Sequence, residues 1–304
     1  MVLTRLKVVA TALLAGLVFP GCGASVPVIG PADPGPAAST AEPGTATPPG
    51  ASMPIPVVDG TASLILEPPE FVLTATPTRV SLPIPQERIL LDAPGPRSQV
   101  VSPVRVSGWA GPAYGGKVFV RLIGEEGQEI GRATTYLLAI EGSAGAFVVT
   151  VPFSITGVAE AGLIEVGFNH LTSNRIDHIH SRPVVFLGVG PARIYTDPDA
   201  PEKLTIFSPR EDRRVSGGVA EVRGAAWVDE DLPLLIEVLD RSGNVVGSAE
   251  VEVEAPVLGE LGTFEARVPF TIPRAQYGRI AVIERGEHPP AIRHYTSVRV
   301  YLEP

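Results

Sequence analysis

The sequence predicts an all-β protein built as two successive antiparallel β-sandwiches, and three observations carry that reading. The first is duplication. The run I-L-L-D-A-P from Ile89, V-R-V-S-G over 104–108, G-Q-E-I-G over 127–131 and G-A-F-V-V-T-V-P-F-S-I over 145–155 is followed about 116 residues later by its counterpart. That second copy reads L-T-I-F-S-P from Leu204, A-E-V-R-G over 220–224, G-N-V-V-G over 243–247 and G-T-F-E-A-R-V-P-F-T-I over 262–272. A period near 100 residues is too long for a solenoid unit of about 20–50 and suits a complete small domain. The second observation is alternation: Val118, Val120, Leu122 and Phe147, Val149, Val151, Phe153 in one copy, Leu234, Ile236, Val238 and Phe264, Ala266, Val268, Phe270 in the other. Period two is the signature of half-buried strands. The third is punctuation by Gly, Pro and Asp with no amphipathic helical stretch; Glu125-Glu126-Gly127 and Arg241-Ser242-Gly243-Asn244 read as hairpin turns between such runs.

Along the chain, residues 1–22 read as an export signal. Arg5 and Lys7 give the positive start, Val8 to Val18 the apolar stretch, and Phe19-Pro20-Gly21-Cys22 the end. The stretch is shorter than the ~20 residues that a membrane-spanning helix needs. Cys22, the one cysteine, excludes an intramolecular disulfide. Its place after the apolar run and a small residue resembles the lipobox of bacterial lipoproteins, which implies lipidation of Cys22 and a membrane anchor; Phe19 and Pro20 depart from the usual pattern. Residues 23–87 form a Pro/Ala/Gly/Thr-rich tether: residues 23–60 are expected to be disordered or extended because they have too little apolar surface to offset their ordering entropy, and residues 61–87, with strand-like composition at Ser63 to Leu66 and Phe71 to Thr74 but prolines at 68, 69, 77, 83 and 85, read as more tether with one docked edge segment. As flexible coil it spans an r.m.s. of about 45 Å, and as polyproline II about 200 Å.

Residues 88–190 and 203–304 are the two repeats, and 191–202 with its prolines and aspartates reads as a linker. Seven or so short strands per repeat point to an immunoglobulin-like sandwich. Each repeat holds the full strand series, so each is expected to fold as its own unit. In the twin V-P-F motifs, valine and phenylalanine share the inward face while proline points out, at an edge or strand end.

The order of these motifs resembles the Gmad2 immunoglobulin-like domain of bacterial spore germination. The matching positions are Ala93-Pro94, Val106 with Gly108, Gly127 with Gly131, Gly145 with Phe147, Val151-Pro152-Phe153 and Gly162 with Val166. In the second copy they are Ser208-Pro209, Val222 with Gly224, Gly243 with Gly247, Gly262 with Phe264, Val268-Pro269-Phe270 and Gly278 with Val282. The resemblance implies an extracytoplasmic, non-enzymatic interaction module in the cell envelope. It transfers no binding residues, because the matched positions are those a sandwich uses for turns and core.

A net charge of −9 and the lack of a dense basic stripe argue against nucleic acid as a partner. G-x-S-x-G, H-E-x-x-H and C-x-x-C are absent, and Gly111 to Lys117 satisfies G-x-x-x-x-G-K only in letter, since Val118 replaces the magnesium-binding hydroxyl. No cofactor and no catalytic residue are therefore expected. His178 and His180 fall on one face of an extended stretch with His170 upstream; these three are the candidate ligands of an alternative zinc-dependent hydrolase, against a polar edge strand as the plainer reading. Acidic residues at Asp197, Asp199, Glu202 and Asp229 to Asp231 could offer calcium oxygens but lack the spacing of a calcium loop. Trp109, Tyr114 and Trp227 are the candidates for a peptidoglycan or wall-glycan surface, with packing in the core or at a sandwich end as the default for the tryptophans. The leading expectation is a lipid-anchored binding or spacer module whose partner is an envelope protein or wall glycan.

Overall fold

The computed structural model describes residues 84–197 and 201–304; the signal segment, Cys22, the tether up to residue 83 and Asp199 lie outside the described residues. The first repeat consists of β1 (Ile89–Ala93), β2 (Ser98–Val101), β3 (Val104–Ala110), β4 (Lys117–Ile123), β5 (Glu129–Tyr136), β6 (Gly145–Val151), β7 (Ala159–Asn169) and β8 (Ile176–Leu187). The second consists of β9 (Leu204–Ser208), β10 (Arg213–Val215), β11 (Val219–Trp227), β12 (Leu234–Leu239), β13 (Val245–Val251), β14 (Leu261–Pro269), β15 (Gln276–Glu287) and β16 (Pro290–Leu302). Among the described residues there is no α-helix, only a 3-10 turn at Tyr114–Gly116. That turn and the strand after it occupy the G-x-x-x-x-G-K stretch.

Each repeat has a small sheet, β1-β3-β6 or β9-β11-β14, facing a larger one, β5-β4-β7-β8 or β13-β12-β15-β16. β2 and β10 join the larger sheets in parallel alongside β8 and β16. Apolar residues from both layers interdigitate. Ile89, Val106 and Phe147 meet Val120, Val166 and Phe186 in the first repeat. Leu204, Val222 and Phe264 meet Ile236, Val282 and Leu302 in the second.

The recurring motifs have a packing explanation. β1 crosses β3 so closely at Gly108 that a Cβ there would lie 2.1 Å from the Leu90 carbonyl oxygen; at Gly224 the Thr205 carbonyl would be 2.2 Å away. Gly224→Ala is accordingly expected to destabilise the protein by about 1–3 kcal/mol through overpacking, read from a denaturant melt. A wild-type midpoint would show that β9 can move away at no cost. In the V-P-F motifs Val151, Phe153, Val268 and Phe270 are buried and Pro152 and Pro269 exposed. β6 and β14 are edge strands of their sheets, where a missing N–H donor costs no ladder bond.

The repeat boundaries differ from expectation. The two large sheets are one: β16 pairs antiparallel with β8, making a ten-stranded sheet that runs through both repeats. Gln86 and Glu87, assigned by composition to the tether, belong to the fold; Gln86 bridges Pro201 and Glu87 is buried. The described part of the expected linker is docked as well. Arg193 bridges Gln99, the Gly95 N–H donates to Tyr195 O at 2.7 Å, and Arg182 donates to Asp197 at 2.8 Å. Proline and aspartate mark a turn-rich path, and they do not distinguish a free linker from one lying along a sheet.

Candidate functional site at the repeat junction

The strands that meet between the repeats are equivalent in the duplication. β2 lies along β8 with Ser98 opposite Val184, and β10 along β16 with Arg213 opposite Val300, so the spacing of about 116 residues makes His178 the counterpart of His294 and Ile179 that of Tyr295. The register between the repeats pairs His178 with Thr296, Ile179 with Tyr295 and His180 with His294. Equivalent strands therefore run antiparallel about a pseudo-two-fold axis through the Ile179–Tyr295 pair. Ahead of β1 and β9, the residues Glu87-Arg88 and Glu202-Lys203 are also equivalent, and they cross-bond reciprocally. The Arg88 N–H donates to Glu202 Oε2 (3.2 Å), and the Lys203 N–H donates to Glu87 Oε2 (3.3 Å). Within one chain the duplication thus reproduces the isologous geometry of a homodimer.

An apolar patch of Ile179, Ala281, Ile283 and Tyr295 seals part of the junction. Beside it lies a polar cluster. His178 Nε2 is 2.8 Å from Glu87 Oε1 and 3.2 Å from Glu202 Oε1, with side-chain exposures of 2%, 0% and 4% respectively. His180 Nδ1 stands 3.5 Å from Glu87 Oε2 and its ring packs edge-on to His294 at 4.9 Å. His294 Nδ1 is 2.5 Å from Glu284 Oε2. Opposite His178, β7 places Phe168 where the second repeat has Glu284, so His178 has no carboxylate from its own hairpin and uses the two glutamates of the axis instead. Asp177 receives the guanidinium of Arg279 from the other repeat and that of Arg88 at 2.6 Å. The Ser181 hydroxyl donates to Ile292 O (2.7 Å) and the Ser297 hydroxyl to Ile176 O (2.9 Å), tying the repeats further.

The cluster polarises its members in opposite directions. Burial by itself lowers the pKa of His178, but the Glu202 charge and the hydrogen bonds to Glu202 and Glu87 outweigh it and raise the pKa to about 10. His180 is dominated by burial, which lowers it to about 4 against the pull of Glu87. Burial likewise opposes ionisation of Glu87, yet the imidazoles of His180 and His178 hold it well below the usual carboxylate range. His178 Nδ1, both ring nitrogens of His180 and His294 Nε2 are buried without a hydrogen-bond partner.

Several expected sites come out differently. His170 does not join His178 and His180: it sits in the β7–β8 loop, 3.1 Å from Glu211 and in contact with Thr172, so the three-histidine set for a zinc hydrolase does not assemble. Among the described residues the ligand-grade group is Glu87, His178 and Glu202. Four of the acidic residues considered for calcium are engaged elsewhere. Asp197 pairs with Arg182, Asp229 with Lys203 at 3.4 Å and Glu230 with Arg293 at 2.8 Å, while Glu202 turns into the junction. Trp109 is 41% and Tyr114 43% exposed, so Trp109 departs from the packed default; Trp227 is half-buried beside Leu261. A recess of about 870 Å³ lies in the second repeat; its Arg214 and Arg267 pair with Glu303 and Glu221.

Comparison with known proteins adds little to this geometry. No protein-family model matches the chain, and no curated protein matches it. Among solved structures it is similar to a red sea bream transglutaminase at a TM-score of 0.26 and 10% identity, over 74% of this chain and 32% of the transglutaminase chain. The chain thus spans about a third of that protein's length, and a likeness this low carries no functional argument.

Proposed function

We propose that this chain is a non-enzymatic, extracytoplasmic module with tandem immunoglobulin-like domains of the Gmad2 type, held to a bacterial cell membrane through a lipid on Cys22, that binds or spaces components of the cell envelope. The observation that carries the reading is the continuous sheet through both repeats. A ten-stranded sheet closed by a buried polar cluster lets two sandwiches move as one stiff body, which suits a spacer at the end of a long Pro/Gly-rich tether. The motif order supports the domain type, and the apolar stretch before Cys22 supports the anchor.

The anchor is tested by fractionating cells that make the wild-type chain and Cys22→Ser. Wild type is expected in the membrane fraction with a lipid-modified Cys22, and the variant is expected to be released or to keep its leader. Wild-type protein free of lipid in the medium would overturn the anchor. Cross-linking in the native cell with mass spectrometry then identifies what the module touches.

A second reading, wall-glycan binding, is favoured by the exposure of Trp109 and Tyr114, which leaves aromatic faces open for stacking on sugar rings. It expects the chain to sediment with isolated wall material and Trp109→Ala with Tyr114→Ala to abolish that.

A further inference from the structure

We propose that Glu87, His178 and Glu202 form a structural site for one borderline divalent cation, zinc first, which clamps the two repeats at their pseudo-two-fold axis. The inference does not depend on the envelope reading. Three atoms able to ligate, Glu87 Oε1, His178 Nε2 and Glu202 Oε1, converge there from three separate segments. Nε2 lies 2.8 Å from one oxygen and 3.2 Å from the other, near the ~3.3 Å that separates ligand atoms around a tetrahedral zinc. The mixed imidazole and carboxylate donor set suits zinc better than calcium or magnesium, which take oxygen.

The second oxygen of each carboxylate is already committed in the manner of an outer shell, while His178 Nδ1 is buried without a partner. Each carboxylate spends its Oε2 on a backbone N–H, that of Lys203 or Arg88, which fixes the rotation that turns Oε1 toward His178. His180, buried and without a hydrogen-bond partner, stands next to Glu87 as a further nitrogen donor close to the group.

Burial and donor type point the same way. Two carboxylates are buried against one imidazole, while Arg279 and Arg88 both engage Asp177 and Arg182 engages Asp197 through Nη1. The near-zero exposure of all three ligands shuts the site off from substrate, and His180 beside Glu87 would bring the shell to the four protein ligands of a structural zinc site.

The test is metal analysis of the full chain purified without chelator, followed by zinc titration and thermal melts. The expected result is one zinc per chain and a Tm that rises by about 5 °C or more with saturating zinc and falls when a chelator is added. Glu87→Gln and Glu202→Gln should each abolish stoichiometric binding, while His170→Ala should leave it intact. Zinc retained by both glutamine variants, lost in His170→Ala, or absent from wild type with no change in Tm would overturn the site. Should the glutamine variants fail to fold, X-ray absorption on the zinc-loaded wild type decides: a shell of nitrogen and oxygen with one or two imidazoles supports the site, and a shell containing sulfur or three imidazoles overturns it.

Discussion

Replacing Arg279 with methionine is expected to destabilise the protein by about 3–5 kcal/mol, because it leaves a buried carboxylate undercompensated. Asp177 and Arg279 come from different repeats and are both buried where β8 meets β16. Arg279 also donates to the Ser297 hydroxyl (2.9 Å) and carbonyl (3.1 Å) and to the Ser173 hydroxyl (3.4 Å), so its removal strips four acceptors at once. Arg88 remains, but its side chain is 37% exposed and partly screened by solvent, so it offsets only part of the loss. Adding Asp177→Leu to the methionine variant should recover much of the deficit, since exchanging both charges for apolar groups of similar size is often close to neutral. Urea melts of the two single variants and the double variant measure this. An Arg279→Met midpoint within error of wild type would mean that water reaches Asp177 and that the junction is not closed.

Glu87, Asp177, His178, Glu202 and Arg279 show which parts of the site the sequence could reveal. Period two put His178 and His180 on one face, and both are buried on that face of β8. Their partners were hidden for a physical reason. Glu87 follows Pro83 and Pro85 in a stretch whose composition reads as tether, and Glu202 follows Pro201 in a stretch that reads as linker. Local composition sets how a segment packs against water but not which distant edge it meets. Antiparallel pairing of β8 with β16 is a long-range event with no local period. One signal was available: Gln86-Glu87-Arg88-Ile89 and Pro201-Glu202-Lys203-Leu204 place an acidic then a basic residue before the same strand of each copy. Extending the repeat alignment upstream would have singled out both glutamates. Their convergence would still have needed the structure.

The all-β architecture was more accessible, because each sandwich layer is specified by alternation and glycine crossings within a single repeat. Leu234, Ile236 and Val238 alternate inward on β12 just as Val118, Val120 and Leu122 do on β4. Independent folding of each repeat was the step that alternation could not test. Ile179 and Tyr295 follow the apolar pattern of their strands, yet they bury against each other's repeat and away from the sandwich cores.

Truncating the phenylalanine of either V-P-F motif should produce a second large loss. Phe270→Ala and Phe153→Ala are each expected to cost about 3–5 kcal/mol, from lost burial plus the cavity that remains. Phe270 packs in the second core with Val268 and Phe264 and is nearly inaccessible. Phe153 packs edge-on to Phe186 at a centroid separation of 4.9 Å, so its removal also forfeits an aromatic pair. Neither site collapses easily. The proline before each phenylalanine fixes the chain where it leaves the edge strand, and the carbonyls of Pro152 and Pro269 lie against Gly131 and Gly247, where a Cβ would approach them to 2.6 and 2.2 Å. The backbone is thus held from the opposite sheet and cannot settle inward to fill the void. Thermal melts of both variants test this together with wall-binding and cross-linking assays. Variants that melt like wild type while losing their envelope contacts would make the motif an exposed recognition element instead of a core anchor.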